Sequence, residues 1–166
     1  MVTPFPFIDD TVLDAADLDA LGTWDSTTWT TTLDNVTIGD GTETALFTRI
    51  GDGDDLGLIF YYYELVWGTT TSITGNVFLN YPFEGVVTSA AALTREGSMS
   101  SFCFFEDDDS TDYYGRLFRN TGNRGQVRVF DSSGTYVDGT NISNTIPFTW
   151  ATGDRLIVSG YFRPGA

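Results

Sequence analysis

The sequence predicts an all-β domain, an antiparallel β-sandwich of jelly-roll type, preceded by an extended N-terminal arm and one short helix. Thr, Val, Ile, Tyr, Phe and Trp are concentrated in short runs, which is typical of strands. Gly, Asn and Asp separate the runs, as expected of turns. After residue 22 only the stretch 88–95 has a weak helical period. Many short strands without intervening helices favour a sandwich or jelly roll.

The strand boundaries follow from the turn residues. Gly39-Asp40-Gly41 and the segment 51–55 separate apolar runs, and the segment 120–123 lies between two alternating runs that predict a hairpin. On that hairpin Arg116 and Arg128 are expected to share one solvent-facing surface, and Arg124 is a third candidate for it. The predicted strands are 24–33, 42–50, 56–67, 75–81, 98–105, 113–119, 126–131, 141–150 and 155–162.

Residues 1–22 form the predicted arm and are expected to dock onto a larger assembly. Pro4 and Pro6 favour an extended chain. Asp14 is a suitable N-cap, and Gly22 can end the short helix that follows it. Such a helix is marginal alone, so it packs either on the domain itself, as a lid, or on the assembly, as an anchor. The expected docking contacts are the apolar residues Phe5, Phe7, Ile8, Leu13, Leu18 and Leu21.

The length and the hydrophobic content predict one body domain, residues 23–166, which is large enough to bury a hydrophobic core. The net charge of −15 disfavours nucleic-acid binding, because phosphates are repelled. All eight basic residues are Arg and Asp is far commoner than Glu, a balance expected of a salt-loving or marine host. No apolar run is long enough to insert into a membrane, and the acidic N-terminus does not match a secretory signal.

The side chains offer little catalytic chemistry, so a non-enzymatic protein without a cofactor is expected. The chain has no His, which excludes Ser-His-Asp and Cys-His arrangements and imidazole metal sites. Cys103 lies in an apolar run and is expected to be a small buried hydrophobe. Asp52, Asp54 and Asp55 lie among glycines and are a weak calcium candidate, with solvated turns as the alternative. Asn35 and Asn141 begin N-glycosylation triplets, which also arise by chance.

The segment 56–67 is apolar almost without alternation, which predicts a central strand covered on both faces. One face would be the domain core and the other a subunit interface in a symmetric oligomer. The interface residues expected from this segment are Tyr61, Tyr62, Tyr63 and Trp67.

Several segments together resemble a recurrent β-sandwich of virion proteins of tailed viruses, found in tail fibres, head fibres and capsid decorations. The leader 12–22 resembles the family's Leu-Thr-Ala-Ala-x-Leu-Asn pattern, with Asp14 and Asp19 in place of Thr and Asn. The acidity and the absence of Lys depart from that family. The other matching segments are 38–42, 46–51, 67–71 with 80–82, and 145–154 followed by 159–161.

The resemblance implies a virion structural protein at the virion surface, which contacts other capsid or tail proteins and is commonly a homotrimer. A short chain without shaft repeats favours a capsid decoration or head fibre. The alternative is a tail-fibre receptor-binding module for host surface glycans, with Asp112, Tyr113 and Tyr114 as contacts or, on the simpler interpretation, as ordinary strand residues. A free secreted carbohydrate-binding module is disfavoured because no signal segment is recognised.

Overall fold

A computed structural model describes residues 29, 33–50, 58–82, 99–108, 111–119, 124–134 and 137–162. Within these residues the chain forms nine strands and no helix, which confirms the all-β prediction. The predicted arm and helix, 1–22, lie outside the described residues. The strands are β1 (Leu33–Thr37), β2 (Thr42–Ile50), β3 (Leu58–Val66), β4 (Ser72–Asn80), β5 (Met99–Glu106), β6 (Tyr113–Arg119), β7 (Arg124–Asp131), β8 (Asp138–Asn141) and β9 (Arg155–Phe162).

The strands form one antiparallel sheet in the order β1-β4-β7-β6-β5-β9-β3-β2, and β8 pairs with β7. Strands β4 and β8 share the same edge of β7, because β4 pairs with 124–126 and β8 with 128–131. Strands β1 and β2 lie at opposite ends of this order, yet only the short turn 38–41 joins them. The sheet therefore curls until its two ends approach each other, and its architecture is a curled open sheet.

Most of the strand predictions match the structure. Strands β2, β6 and β9 have the predicted limits, and β6 and β7 form the predicted hairpin. The predicted strand 141–150 is wrong, because the chain leaves the sheet after Asn141. Ser143 and Ile146 exchange backbone hydrogen bonds of 3.1 and 3.4 Å across a tight turn, and the following Pro147 has no N–H to donate to a ladder.

Strand β3 supplies the centre of the core through strict alternation. Ile59, Tyr61, Tyr63 and Leu65 are fully buried, whereas the side chains between them are only partly buried on the opposite side. The long apolar run thus has one core face and one partly covered outer face. The described core also contains Trp29, Leu33, Trp67, Ile73, Val77, Leu79, Tyr81, Cys103, Phe105, Leu117, Val127, Val129, Ile142, Leu156, Val158 and Phe162.

Aromatic rings from distant parts of the chain meet around Tyr61. Trp29 packs edge-on against it with ring centroids 6.1 Å apart, Tyr81 does so at 6.0 Å, and Phe162 lies at 6.1 Å. Such edge-to-face pairs add to the stabilisation that burial of the rings provides. Because Trp29 precedes β1, Tyr81 follows β4 and Phe162 ends β9, this group joins both ends of the sheet order.

Two neighbouring tyrosines of β3 should respond oppositely to loss of their hydroxyl groups. Among the described residues the Tyr61 hydroxyl is buried without a hydrogen-bond partner, whereas the Tyr63 hydroxyl donates to Glu43 Oε1 at 2.6 Å. Removing an unpaired buried hydroxyl removes a desolvation cost. We expect Tyr61→Phe to raise the free energy of unfolding by about 1 kcal/mol and Tyr63→Phe to lower it by about 2 kcal/mol. Urea unfolding of both variants measures this; equal effects of one sign would contradict it.

Candidate functional site

Three turns that are far apart in sequence meet at one end of the sheet. We call them the turn cluster: 38–41 between β1 and β2, 67–71 between β3 and β4, and 150–154 before β9. The backbone N–H of Trp67 donates to the carbonyl oxygen of Asp154 at 2.8 Å, and the N–H of Gly153 donates back to that of Trp67 at 3.0 Å. Three segments that the sequence analysis singled out thus come together in space.

Asp40 joins the first two turns through its carboxylate. Oδ2 accepts from the Thr69 hydroxyl at 2.6 Å, and Oδ1 accepts from the Thr70 N–H and hydroxyl, both at 2.8 Å. The Asp40 N–H donates to Thr70 Oγ1 at 3.0 Å. These hydrogen bonds, that from Thr69 above all, hold the pKa of Asp40 well below its usual value, although the group is solvent-exposed. The carboxylate is therefore a structural acceptor and not a proton donor.

Two glycines allow the turns to approach this closely. A β-carbon at Gly39 would lie 2.8 Å from the carbonyl oxygen of Thr70, and one at Gly68 would lie 2.6 Å from the backbone carbon of Asp40. Gly39 also has a φ of 61°, which favours glycine. The glycines of the Gly-Asp-Gly and Gly-Thr-Thr-Thr sequences thus let the two turns pack backbone against backbone.

The third turn adds an aromatic stack and a buried carboxylate. Trp67 and Trp150 stack with centroids 4.1 Å apart, and the Trp150 indole N–H donates to the Ser143 carbonyl oxygen at 2.9 Å. Asp154 is 2% exposed. Its Oδ2 accepts from the Ala151 N–H at 2.6 Å and its Oδ1 from the Asp108 N–H at 3.1 Å. The turn cluster is a hydrogen-bonded joint that holds the ends of the sheet together.

Acid should weaken this joint through Asp40. Its pKa is lower in the folded chain than in the unfolded one, so its stabilisation is complete above about pH 5 and is lost as the pH falls through the folded value. We expect Asp40→Asn to lower the melting temperature at neutral pH and this difference to shrink below about pH 4. Melting curves from neutral to strongly acidic pH measure it. Thr69→Val, which keeps the carboxylate but removes its first donor, is the matched variant; a difference independent of pH would contradict the role of Asp40.

The predicted glycan contacts do not form one site. Tyr113 and Tyr114 are consecutive on β6 and therefore point to opposite sides of the sheet. Tyr113 is partly buried against Phe148, with centroids 5.8 Å apart, whereas Tyr114 is exposed. Asp112 is exposed just before the strand. Only Tyr114 and Asp112 present their side chains to a ligand in solution.

The predicted oligomer-interface residues also divide between two sides. Tyr61, Tyr63 and Trp67 lie in the chain's own core with exposures of 1%, 0% and 3%. Tyr62 alone points outward, where its hydroxyl donates to Glu64 Oε2 at 3.1 Å. The sequence placed all four together because the run is apolar throughout, whereas the strand's alternation assigns three of them to the core. An interface prediction therefore stays only for Tyr62.

Other predicted residues lie outside the described part of the chain. These are the docking residues Phe5, Phe7, Ile8, Leu13, Leu18 and Leu21 and the weak calcium candidates Asp52, Asp54 and Asp55. Within the described residues, no group of three or more Cys, Asp or Glu side chains could hold a metal ion. No described helix is long and apolar enough to span a membrane.

Cys103 is buried, as the sequence predicts, and burial raises the pKa of its thiol far above its usual value. It is therefore an unreactive core residue. Arg116 and Arg128 were predicted to share one surface of the sheet, and they do lie on one side of it, because they are direct partners across β6 and β7. Both guanidinium groups lie over the Phe118 ring, at 4.2 and 4.6 Å from its centroid.

Sequence reasoning missed one surface, the outer side of β3, β9, β5 and β6. Its aromatic residues alternate with core residues along each strand, as Phe102 and Phe104 do on either side of Cys103. The alternation of inward-pointing and outward-pointing side chains could not be recognised in the sequence because both faces of these strands are apolar. The signal that could have found the surface is the strict two-residue spacing of these aromatic residues.

The fold and the site together define the class of protein. It is an all-β protein with a curled antiparallel sheet, and the turn cluster joins the two ends of that sheet. Comparison of the chain with protein-family models finds no match. Comparisons with curated proteins and with solved structures likewise find none.

Proposed function

We propose that the chain is a non-enzymatic structural protein of a virus particle, an exposed capsid decoration or head-fibre protein at the virion surface. The observation that carries the proposal is the turn cluster. Its segments are among those that resemble tailed-virus virion proteins, and Asp40 contacts Thr70, which is 30 positions away. Side chains such as Asp40 and Asp154 are fully used in holding the sheet ends together. The turn cluster therefore supports a structural role for these segments and not a catalytic one.

The finer architecture that we propose is a sandwich related to the jelly roll. Both the turn 38–41 and the turn 67–71 connect one end of the sheet order to the other, because β1 and β4 are neighbours and β2 and β3 are neighbours. Two such connections side by side would join two layers packed face to face. The core residues on the inner sides of β3 and β4 would then fill the space between the layers.

The anchor that we propose is the arm, residues 1–22. Burying three of its apolar side chains would contribute about 1.5–3 kcal/mol each before ordering costs. The prolines hold the arm extended, which lowers the conformational entropy that it loses on docking. In a symmetric oligomer several arms would bind at once, which strengthens the attachment as a whole. The body, 23–166, would remain outside the particle surface, where its net negative charge keeps the surface soluble.

A deletion of residues 1–22 tests the anchor with two measurements. We expect the shortened chain to keep the melting temperature of the full chain and to lose binding to purified particles. Retained binding would exclude these residues as the anchor. A lost folding transition would show instead that they form a lid on the domain's own core.

The second candidate is a tail-fibre module that binds host surface glycans, and one observation favours it. Tyr114 is 51% exposed and lies beside Phe102 and Phe104, with centroids 5.6 and 5.4 Å away. Exposed aromatic rings can stack on sugar rings. Binding to an array of host glycans that is lost in Tyr114→Ala, but not in Val137→Ala, would support this candidate over the decoration protein.

A further inference from the structure

The side of the sheet that faces away from the core carries an aromatic surface across four neighbouring strands. We call it the aromatic face. Strand pairing places its members on one side, since Phe60 is opposite Tyr161 and Phe104 is opposite Tyr114. Tyr114, Phe102 and Tyr161 are 51%, 45% and 43% exposed. The aromatic face comprises Phe60 and Tyr62 on β3, Tyr161 on β9, Phe102 and Phe104 on β5, and Tyr114 on β6.

The aromatic face has the size of a functional surface patch. Aromatic side chains have about 150–250 Å² each to bury, so the three most exposed rings present about 300 Å² between them. The remaining rings and Ile157 are partly exposed and enlarge it. A patch of about 300 Å² or more lies in the range of the largest apolar patch on a typical monomer, which is often functional, and it is somewhat less than half of the ~800 Å² that each partner buries in a standard interface.

The charges around the aromatic face are balanced, in contrast with the rest of the molecule. Arg116 and Arg155 point to the same side as Glu64 and Glu106, and Arg155 lies 3.5 Å from Glu106 and 3.9 Å from Glu64. The whole chain carries a net charge of −15. Most of its surface therefore repels a second copy, whereas this face does not.

We propose that the aromatic face is a self-association surface, on which two copies of this chain pack face to face about a twofold axis. The axis runs parallel to the strands between β5 and β9. Each β5 then faces the β9 of the second copy, and each β6 faces its β3. Such an interface uses the same patch on both copies, so the patch must complement itself.

One row of side chains across the strands shows this complementarity. Pairing places Tyr62, Ser159 and Phe102 side by side, and continuation of the β5–β6 register places Arg116 next to Phe102. The twofold axis reverses the row on the second copy. Phe102 then lies over the small Ser159, and Arg116, whose guanidinium stacks on Phe118 of its own chain, faces Tyr62. A large side chain meets a small one, and a cation meets an aromatic face.

The next row adds an apolar contact at the axis. Glu64, Ile157, Phe104 and Tyr114 lie side by side, so Phe104 faces the second copy's Ile157 and Tyr114 faces its Glu64. A self-complementary patch closes as a pair, so this arrangement replaces the threefold one that the resemblance implies. It depends on the surface alone and not on the proposed virion function.

Sedimentation equilibrium of the full chain tests the pairing. We expect a dimer whose association strengthens as salt rises to about 1 M, where the Debye length is about 3 Å and the net charge no longer opposes it. Phe102→Asp should raise the dissociation constant about 30-fold or more, as removal of a central aromatic contact does. Ser159→Trp fills the space opposite Phe102 and should have a similar effect.

Val137→Asp is the matched control, since Val137 is 65% exposed but lies outside the aromatic face, and it should leave the dimer intact. Circular dichroism checks that each variant is folded. A monomer at high protein concentration in high salt would overturn the proposal, as would a dimer or trimer unaffected by Phe102→Asp and Ser159→Trp. A monomeric chain that binds a sulfated polysaccharide through Arg116 would assign the face to an anionic polymer instead.

Discussion

Replacing Trp67 by alanine is expected to lower the free energy of unfolding by about 3–5 kcal/mol, the range for truncation of a buried aromatic residue. The side chain is 3% exposed and stacks on Trp150 at 4.1 Å. Its backbone also exchanges hydrogen bonds with the turn 150–154, so the cavity would open where the sheet ends are joined. Chemical unfolding measures the loss, and a domain of ordinary stability would be close to unfolding.

Two control variants test whether the loss of stability comes from removal of the buried Trp67 ring. Trp67→Phe keeps a ring against Trp150 and should lose clearly less stability than Trp67→Ala. Val137→Ala shortens a side chain that is 65% exposed and should change stability by less than about 0.5 kcal/mol. A loss below about 1 kcal/mol in Trp67→Ala would contradict the placement of Trp67 in the core.

Gly115→Ala is expected to cost about 2–3 kcal/mol or more, although it adds only one methyl group. Gly115 is buried on β6 opposite Val129, and a β-carbon there would collide with the backbone carbonyl of Arg128. Backbone atoms in the centre of a sheet cannot turn aside as a flexible side chain can. The ladder between β6 and β7 would have to shift, which thermal melting of the variant detects.

Gly75→Ala is the matched control for this effect. Gly75 lies on β4, and the atoms nearest to a β-carbon there would be those of the Asn35 side chain, at 3.2–3.5 Å. A shift of a few tenths of an ångström accommodates it, so the change in stability should stay below about 1 kcal/mol. Equal melting temperatures for both alanine variants would show that β6 and β7 do not approach as closely as described.

The strands could be predicted where short-range patterns decide them. Strands β6 and β9 were predicted at their observed limits because β-branched and aromatic runs end at turn residues. The segment 141–150 was not, since its apolar residues Ile142, Phe148 and Trp150 contact the core from a loop. These residues are apolar because they pack on the core and not because the segment pairs with a neighbouring strand. A local sequence pattern looks the same in both cases.

The candidate site was beyond prediction from one sequence because it depends on strand order. The Gly-Asp-Gly and Trp-Gly-Thr-Thr-Thr segments were both singled out, but their contact through Asp40 follows from β1 pairing with β4 and β2 with β3. Neither pairing joins β1 to β2, the strands adjacent in sequence. Likewise, consecutive Tyr113 and Tyr114 looked like one ligand site until the alternation of the strand separated them.

Immunogold labelling of intact particles with an antibody raised against the body, 23–166, tests the proposed function most directly. The proposal predicts gold over the capsid shell, at regular positions, in electron micrographs of purified particles. Gold confined to the tail tip would support the glycan-binding alternative. Particles that carry no gold anywhere, while the same antibody recognises the purified chain, would contradict the assignment of this protein to the virion.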